Sequence, residues 1–424
     1  MFLKVTYALY PNATQEAALL DMKGSHQRLH NAALEQRISA WQRCGISVKF
    51  TDQCKDLTAL RAADPEYKAL NAQSSQVTLK RVDLAMQSFF RRVKSGETPG
   101  FPRFKSFDRF SGWGYKTHGD GWRLTPGEGF RHGRLRLSGI GNLRIRGKAR
   151  LKGEPVTCEI SHKAGRWQAS VTLEVRPNRE CGSGAAGMDW GVETFATLVH
   201  ADGRVQEIPN PRWVKRAEVD LAEAQRVLSR RKGPVGRKPS KRWLKAKARV
   251  TRIQRKTTNQ RLNFLHQEST KLVKALGFIA TETLNVKAMT ASAKRTVEEP
   301  GKNVQKKAGL NRSILDTAPA AFLSITKAKA EEAMAEWVDV PTKTVKPTQT
   351  CRKCGHQRKK TLKERLHVCK ECGHTEKRDV NAAWVMLNWA LWGHVTGRVL
   401  ARQREAASAV PSCETPSIPQ GWVE

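Results

Sequence analysis

Four cysteines constrain this chain more than any other feature. Cys351, Cys354, Cys369 and Cys372 form two Cys-x-x-Cys pairs, 14 residues apart, in TCRKCGHQRKKTLKERLHVCKECGHTEKRDVNAA. A two-residue gap lets two thiolates of one turn approach the same cation, and four thiolates close a tetrahedral shell around zinc. With no ligand position left open, the expected site is one structural zinc. His356, His367 and His374 lie nearby and are not needed as ligands. The other five cysteines, Cys44, Cys54, Cys158, Cys181 and Cys413, are scattered. That usage fits a reducing compartment, not a disulfide framework.

Cations surround this motif, and the rest of the chain is equally basic. The 424 residues carry 76 Lys and Arg against 39 acids, a formal net charge of +37. Such a charge repels itself unless a polyanion neutralises it, so nucleic acid is the expected partner. A generally basic soluble protein is the plainer alternative; the placement of the acids below argues against it. No apolar run approaches the roughly 20 residues that span a bilayer. The stretch MFLKVTYALYPN lacks the apolar core and cleavage site of a signal peptide. A cytoplasmic protein is expected.

The hydrophobic pattern divides the chain. Residues 2–10 read as a strand ended by Pro11. Asn12 with Gln15 fits a capping box, and a helix follows to about residue 42. Further helix is expected over 52–63 and 75–94, with basic faces, and then a Phe- and cation-rich loop, GFPRFKS (100–106). From 113 to 176, short alternating runs such as LRLSG and LRIRG between glycine turns predict a small antiparallel barrel, one face apolar and the other cationic. Residues 185–208 read as three strands joined by tight turns. Two long basic helices are expected over 211–232 and 240–275, and a buried strand over 277–284. A polar, irregular segment is expected over 286–312, a helix over 313–336 and a strand in TKTVKP. The residues after 403 have the composition of a disordered tail.

Three acids stand at element ends. Asp189 ends a buried strand in AGMDWG, and Glu282 sits at the end of another in IATETL. Asp379 opens the helix DVNAAWVMLNWALW, whose apolar positions 380, 383, 384, 387 and 391 are expected to face a core. Singly, each reads as a turn residue, a paired strand-end acid or a first-turn charge on a helix. Their order is more telling: an acid on the first strand of a hairpin set, another on a later strand, a third at a late helix start. That is the layout of an RNase H-like nuclease. Three carboxylates so gathered hold two hard divalent ions, Mg2+ or Mn2+, roughly 3.5–4 Å apart, for hydrolysis of a phosphodiester. Glu193 and Glu376 are the alternatives for the second acid.

The motifs YPNATQ, GFPRFK, GMDWG, ATETL, the four cysteines and RDVNAA together resemble the TnpB/OrfB family of insertion-sequence proteins, related to type V CRISPR effectors. The resemblance runs from residue 1 to about 395, and RDVNAA behind the double Cys-x-x-Cys is its most specific part. It implies an α+β multidomain chain: a first wedge strand at 1–12, a helical recognition lobe at 13–112, a wedge β-barrel at 113–180 and a RuvC-like nuclease domain at 181–400. A zinc ribbon is inserted at 348–376, and a tail follows at 401–424. It further implies an RNA-guided DNA endonuclease of a transposable element, cutting double-stranded DNA beside a short adjacent motif. One chain would act per guide RNA, with Asp189, Glu282 and Asp379 as the metal-binding catalytic acids. By the same analogy Gln76 and Lys80, one turn apart, would face the adjacent motif, and Arg103 and Lys105 nucleic acid. The sequence departs from the family in SILDTAPAAF, where Pro319 replaces a bulky residue in a segment that acts as a lid. Two rival functions are a guided DNA binder that represses without cutting and an unguided RuvC-like recombination nuclease. The intact acids argue against the first, the helical lobe and barrel against the second.

Overall fold

The structure is a computed structural model that describes residues 1–234, 236–294, 301–361 and 364–393. The expected tail at 401–424 lies outside the described residues. The chain forms two compact units, Met1–Arg176 and Pro177–Glu424.

In the first unit, β1 (Phe2–Tyr10) buries Val5, Tyr7 and Leu9 and is stopped by Pro11. The expected capping box forms: the Gln15 N–H donates to Asn12 Oδ1 (2.8 Å) and the Asn12 N–H to Gln15 Oε1 (3.1 Å). It starts α1 (Ala13–Cys44), which ends at Gly45 in the left-handed region (φ 66°). The helices α2 (Phe50–Ala63), α3 (Pro65–Ala69) and α4 (Ala72–Lys94) follow. Leu29, Leu34, Leu57, Leu79 and Val82 make the buried core that α1, α2 and α4 share.

The remaining strands of this unit are β2 (Gly112–Tyr115), β3 (Trp122–Pro126), β4 (Arg131–Leu137), β5 (Gly141–Lys148), β6 (Glu154–Lys163) and β7 (Arg166–Glu174). They form an antiparallel sheet in the order β2-β6-β7-β1-β5-β4-β3. The predicted alternation holds: Leu135 and Leu137 are buried, while Arg134 and Arg136 are exposed. Two expectations change. The N-terminal strand is central, flanked by β7 and β5. The barrel is an open sheet among the described residues, because no ladder joins β2 to β3. At β2 Arg81 of α4 donates to the Gly112 carbonyl (2.6 Å).

The second unit is built on the sheet β10-β9-β8-β11-β12. Strands β8 (Gly184–Trp190), β9 (Thr194–His200) and β10 (Val205–Pro209) are an antiparallel meander. Helices α5 (Trp213–Arg216), α6 (Glu218–Arg230) and α7 (Lys241–Ala275) lead to β11 (Leu276–Glu282), which runs parallel to β8. Then come α8 (Val286–Met289), α9 (Val304–Thr317), α10 (Pro319–Glu332) and β12 (Glu336–Val340), parallel to β11. After α11 (Thr342–Val345), the cysteine segment carries the hairpin β13 (Leu366–Val368) and β14 (Thr375–Lys377) and runs into α12 (Arg378–Trp392). One core holds Phe195, Leu265, Ile279 and Phe322; a second packs Ala185, Phe278 and Ala280 against Val385 and Met386 of α12.

Several boundaries differ from expectation. The first basic helix breaks at Ala217 into α5 and α6. The polar 286–312 segment is largely helical where described, as α8 and the first turns of α9. The helix expected at 313–336 is two, because Ala318 is left-handed (φ 50°) and Pro319 restarts the chain as the first residue of α10. TKTVKP is the short helix α11, not a strand; its Thr and Val suggested β structure, but the strand that pairs with β11 is EWVDV, before Pro341. Helix α12 is buried on more sides than predicted, with Asn381, Ala382, Val385 and Asn388 also covered.

Candidate metal centres

The sheet brings the three acids to one end. Thr281 faces Met188 across the β11–β8 ladder, and the Thr281 hydroxyl donates to the Met188 carbonyl (3.0 Å). This fixes the register one residue before both Glu282 and Asp189, so the two acids leave neighbouring parallel strands side by side. Helix α12 then lies on β8 at Gly187. A Cβ there would sit 2.1 Å from the Ala383 carbonyl oxygen. Only glycine allows this approach, which gives the first glycine of GMDWG a physical role. The approach brings Asp379, in the first turn of α12, to the strand-end acids.

The electrostatics record the gathering. Asp189 is 6% exposed. Burial pushes its carboxyl well above the usual range, and the Glu282 and Asp379 carboxylates push it further, with Arg378 opposing them. Half-buried Glu282 is raised to about 7, first by burial and then by Asp379. Neighbouring carboxylates disfavour each other's charge. Arg378 donates from Nε to Asp379 Oδ1 (3.1 Å) and from Nη1 to the Glu364 carbonyl (3.2 Å), orienting the acid. The two alternative acids have other partners: Glu193 pairs with Arg365 (2.9 Å) and Glu376 with Arg352 (2.8 Å).

The four cysteines converge as their spacing required. Their sulfurs lie within 4.8 Å of one another, as do no other three His, Cys, Asp or Glu ligand atoms among the described residues. Each pair forms the same turn. The Cys351 N–H donates to the His356 carbonyl (2.9 Å) and the Cys369 N–H to that of His374 (2.9 Å), and Gly355 and Gly373 take positive φ (78° and 67°). Four soft thiolates in so compact a set fit zinc, and a hard divalent ion would prefer the carboxylates. No histidine belongs to the cluster: His367 bonds Lys360, and His374 lies 3.4 Å from Glu376.

Sequence reasoning missed Asn381, two residues beyond Asp379 within the quoted RDVNAA. It is fully buried and bonds the backbone on both sides of Cys351. Arg352 adds a two-pronged pair with Glu376 (2.8 and 3.1 Å) and lies over the Trp384 ring (5.0 Å).

The four expected nucleic-acid residues all lie in the first unit, away from any common cluster. Gln76 accepts from Lys116 (3.2 Å), and Lys80 pairs with Asp83 (2.8 Å) over the Phe50 ring. Arg103 is exposed. Lys105 is half-buried, which lowers its pKa, and its peptide groups bond Gln27 and Asn31.

The second unit is thus an α/β fold with three acids at one end of its sheet and a four-cysteine segment ahead of the last of them. Residues 168–293 match the family OrfB_IS605, described as a probable transposase, and residues 320–386 match the Cas12f1-like TNB domain. The first span holds Asp189 and Glu282, the second the cysteines and Asp379. The chain is 29% identical over 360 residues to the Escherichia coli (strain K12) protein whose name calls it an RNA-guided DNA endonuclease, InsQ, covering 83% of each chain. It is 29% identical over 411 residues to a Streptomyces pristinaespiralis protein of the same named activity, covering 95% of this chain and 92% of that one. A Cas12f1–sgRNA–target DNA complex shares the fold, with a TM-score of 0.52 at 13% identity, over 87% of this chain and 82% of that one. The resemblance to the TnpB/OrfB family read from the motifs is borne out. No helix among the described residues is long and apolar enough to cross a membrane.

Proposed function

We propose that the chain is an RNA-guided, metal-dependent DNA endonuclease of an insertion element. The single observation that carries the proposal is geometric: Asp189 and Glu282 leave neighbouring parallel strands side by side, and Asp379 opens the helix that packs on β8 at Gly187, three acids from distant parts of the sequence. Asp189 is buried with Glu282 and Asp379 half-buried beside it, and neighbouring carboxylates disfavour each other's charge unless a cation joins them. Two Mg2+ or Mn2+ ions bound there would supply activation of water and stabilisation of the leaving oxygen. The chain's own part is to hold the three carboxylates, with Thr281 fixing the strand register and Arg378 orienting Asp379. The cysteines would hold one structural zinc that fixes the chain ahead of Asp379. Relatives over most of the chain are named for RNA-guided DNA cleavage, which supports a guide RNA and a double-stranded DNA target here.

In this proposal residues 1–12 and 113–180 form the wedge, 13–112 a recognition lobe with Gln76, Lys80, Arg103 and Lys105 toward nucleic acid, and 181–400 a RuvC-like nuclease with its ribbon at 348–376. The protein would act in the bacterial cytoplasm, on the nucleoid when DNA-bound, one chain per RNA, cutting beside a short adjacent motif. The test is purification from cells bearing the element, then incubation with a plasmid carrying the guide-matched target and a randomised flank. A discrete RNA and Mg2+-dependent cuts at one flank motif are expected. Binding without cutting on every flank would leave a repressor, and guide-independent cutting an unguided nuclease.

A further inference from the structure

Beside α5 lies a cavity of about 330 Å3 whose lining includes none of the three acids and none of the four cysteines. Its half-buried floor is Trp213, Ala217 and Ile253; Arg216, Arg252 and Lys256 stand exposed at its rim. The three rim cations have no carboxylate partner among the described residues, and Asp220 is the one acid that lines the cavity. Trp213 Nε1 is buried with no hydrogen-bond acceptor. The Arg216 guanidinium lies over the Trp213 ring (5.4 Å), covering one of its faces.

Trp213 is held in place. Asp316, at the end of α9, accepts the Val214 N–H with both carboxylate oxygens (3.0 Å each). The helix break at Ala217 leaves a small side chain beside the ring.

We propose that this cavity takes one unpaired nucleotide of a bound nucleic-acid strand. A guanidinium stacked on an aromatic ring presents a flat cationic surface that suits a base face. Cations at the rim suit the flanking phosphates. The volume falls within the range of small-ligand sites. A duplex hides its base faces and cannot enter. The proposal extends the nucleic-acid role of the chain and does not need a guide: the test below uses supplied oligonucleotides. Absence of a co-purifying RNA would therefore sink the guided reading and leave this one standing.

The full chain is titrated with a fluorescein-labelled 20-nucleotide strand, as RNA and as DNA, and with the same sequence as a duplex. Trp213→Ala is expected to weaken single-strand binding five-fold or more, since stacking contributes on the order of 1–3 kcal/mol per base, and duplex binding less than two-fold. Trp213→Phe keeps the stack and should stay within three-fold of the parent. The RNA and DNA arms show which strand type the cavity prefers. Arg252→Ala/Lys256→Ala, at exposed positions, should lower the salt slope by about 1.4, roughly 0.7 per phosphate contact on a single strand. If Trp213→Ala melts below the working temperature, photocrosslinking decides. A 5-iodouridine strand bound to the parent should crosslink to residues 212–217 or 252–260. Equal losses for single strand and duplex, or no crosslink on either segment, overturn the proposal.

Discussion

The Asn381 amide donates to the Thr350 carbonyl (2.7 Å), and its oxygen accepts the Arg352 N–H (3.1 Å). One side chain in the first turns of α12 therefore clasps the peptide groups on either side of Cys351. The cysteine ribbon and the last acid are joined through that clasp as well as through the chain. Asn381→Ala should leave one zinc per protein, because no ligand is touched. It should cost about 1–3 kcal/mol of stability, the usual result of orphaning buried backbone groups. Cleavage of a guide-matched duplex should fall at least ten-fold as Asp379 loses its fixed base. Zinc analysis, thermal melting and a cleavage assay on the same preparation check this; full activity in a folded variant would remove the clasp from the mechanism.

The cysteine cluster should hold about one zinc per chain by elemental analysis. Cys351→Ser should lose it and lower the melting temperature of the second unit, since binding energy at a structural site is folding energy. A metal-free parent that melts like the loaded one would refute the assignment.

Asp189→Ala, Glu282→Ala and Asp379→Ala should each abolish Mg2+-dependent cleavage while target binding persists, because phosphates are held by Lys and Arg elsewhere. Double variants should be no worse than single ones, as expected of groups that act as a unit. Ca2+ should support binding without cutting. Glu193→Ala is the control: that acid is paired with Arg365, so cutting should persist. Loss of cutting in Glu193→Ala together with normal cutting in Glu282→Ala would reverse the assignment.

The pH dependence follows from Glu282. Its folded pKa is raised from 4.5 to about 7. Between those values the folded chain keeps a proton that the unfolded chain has released, so stability declines as pH rises through this window. With zinc loaded and no Mg2+ added, the parent should melt several degrees lower at pH 7.5 than at pH 5. Glu282→Gln cannot ionise and should show a shallower decline. Added Mg2+ should recover the loss at pH 7.5 in the parent far more than in Glu282→Gln. Identical pH slopes for the two proteins would count against the buried cluster. The cleavage rate should also rise toward pH 7, as the carboxylates shed protons to accept cations.

Much of this protein is determined by short-range sequence. The Asn12–Gln15 box, the strand alternation at Leu135 and Leu137, and the two cysteine turns need only residues within a few positions of one another. The helix start at Asp379 and the strand ends at Asp189 and Glu282 are equally local, so the candidate acids could be named in advance. Their convergence was inferred from order and resemblance. The tertiary structure supplies its cause: the Thr281–Met188 bond and the glycine contact between β8 and α12, which join residues about 90 and 200 positions apart. Other features had no local signature. Asn381 reads as an ordinary helix residue until Thr350 is beside it. EWVDV and TKTVKP have similar β propensity, and pairing with β11 selects the first as the strand. The contact of Arg81, on α4, with the Gly112 carbonyl at the edge of the first unit's sheet joins residues that no local pattern links. Sequence by itself determined which groups are candidates for the chemistry and where several elements begin, since caps, turns and ligand spacing act over a few residues. Only the tertiary structure decided which of those groups meet, because that depends on contacts between residues far apart in the chain.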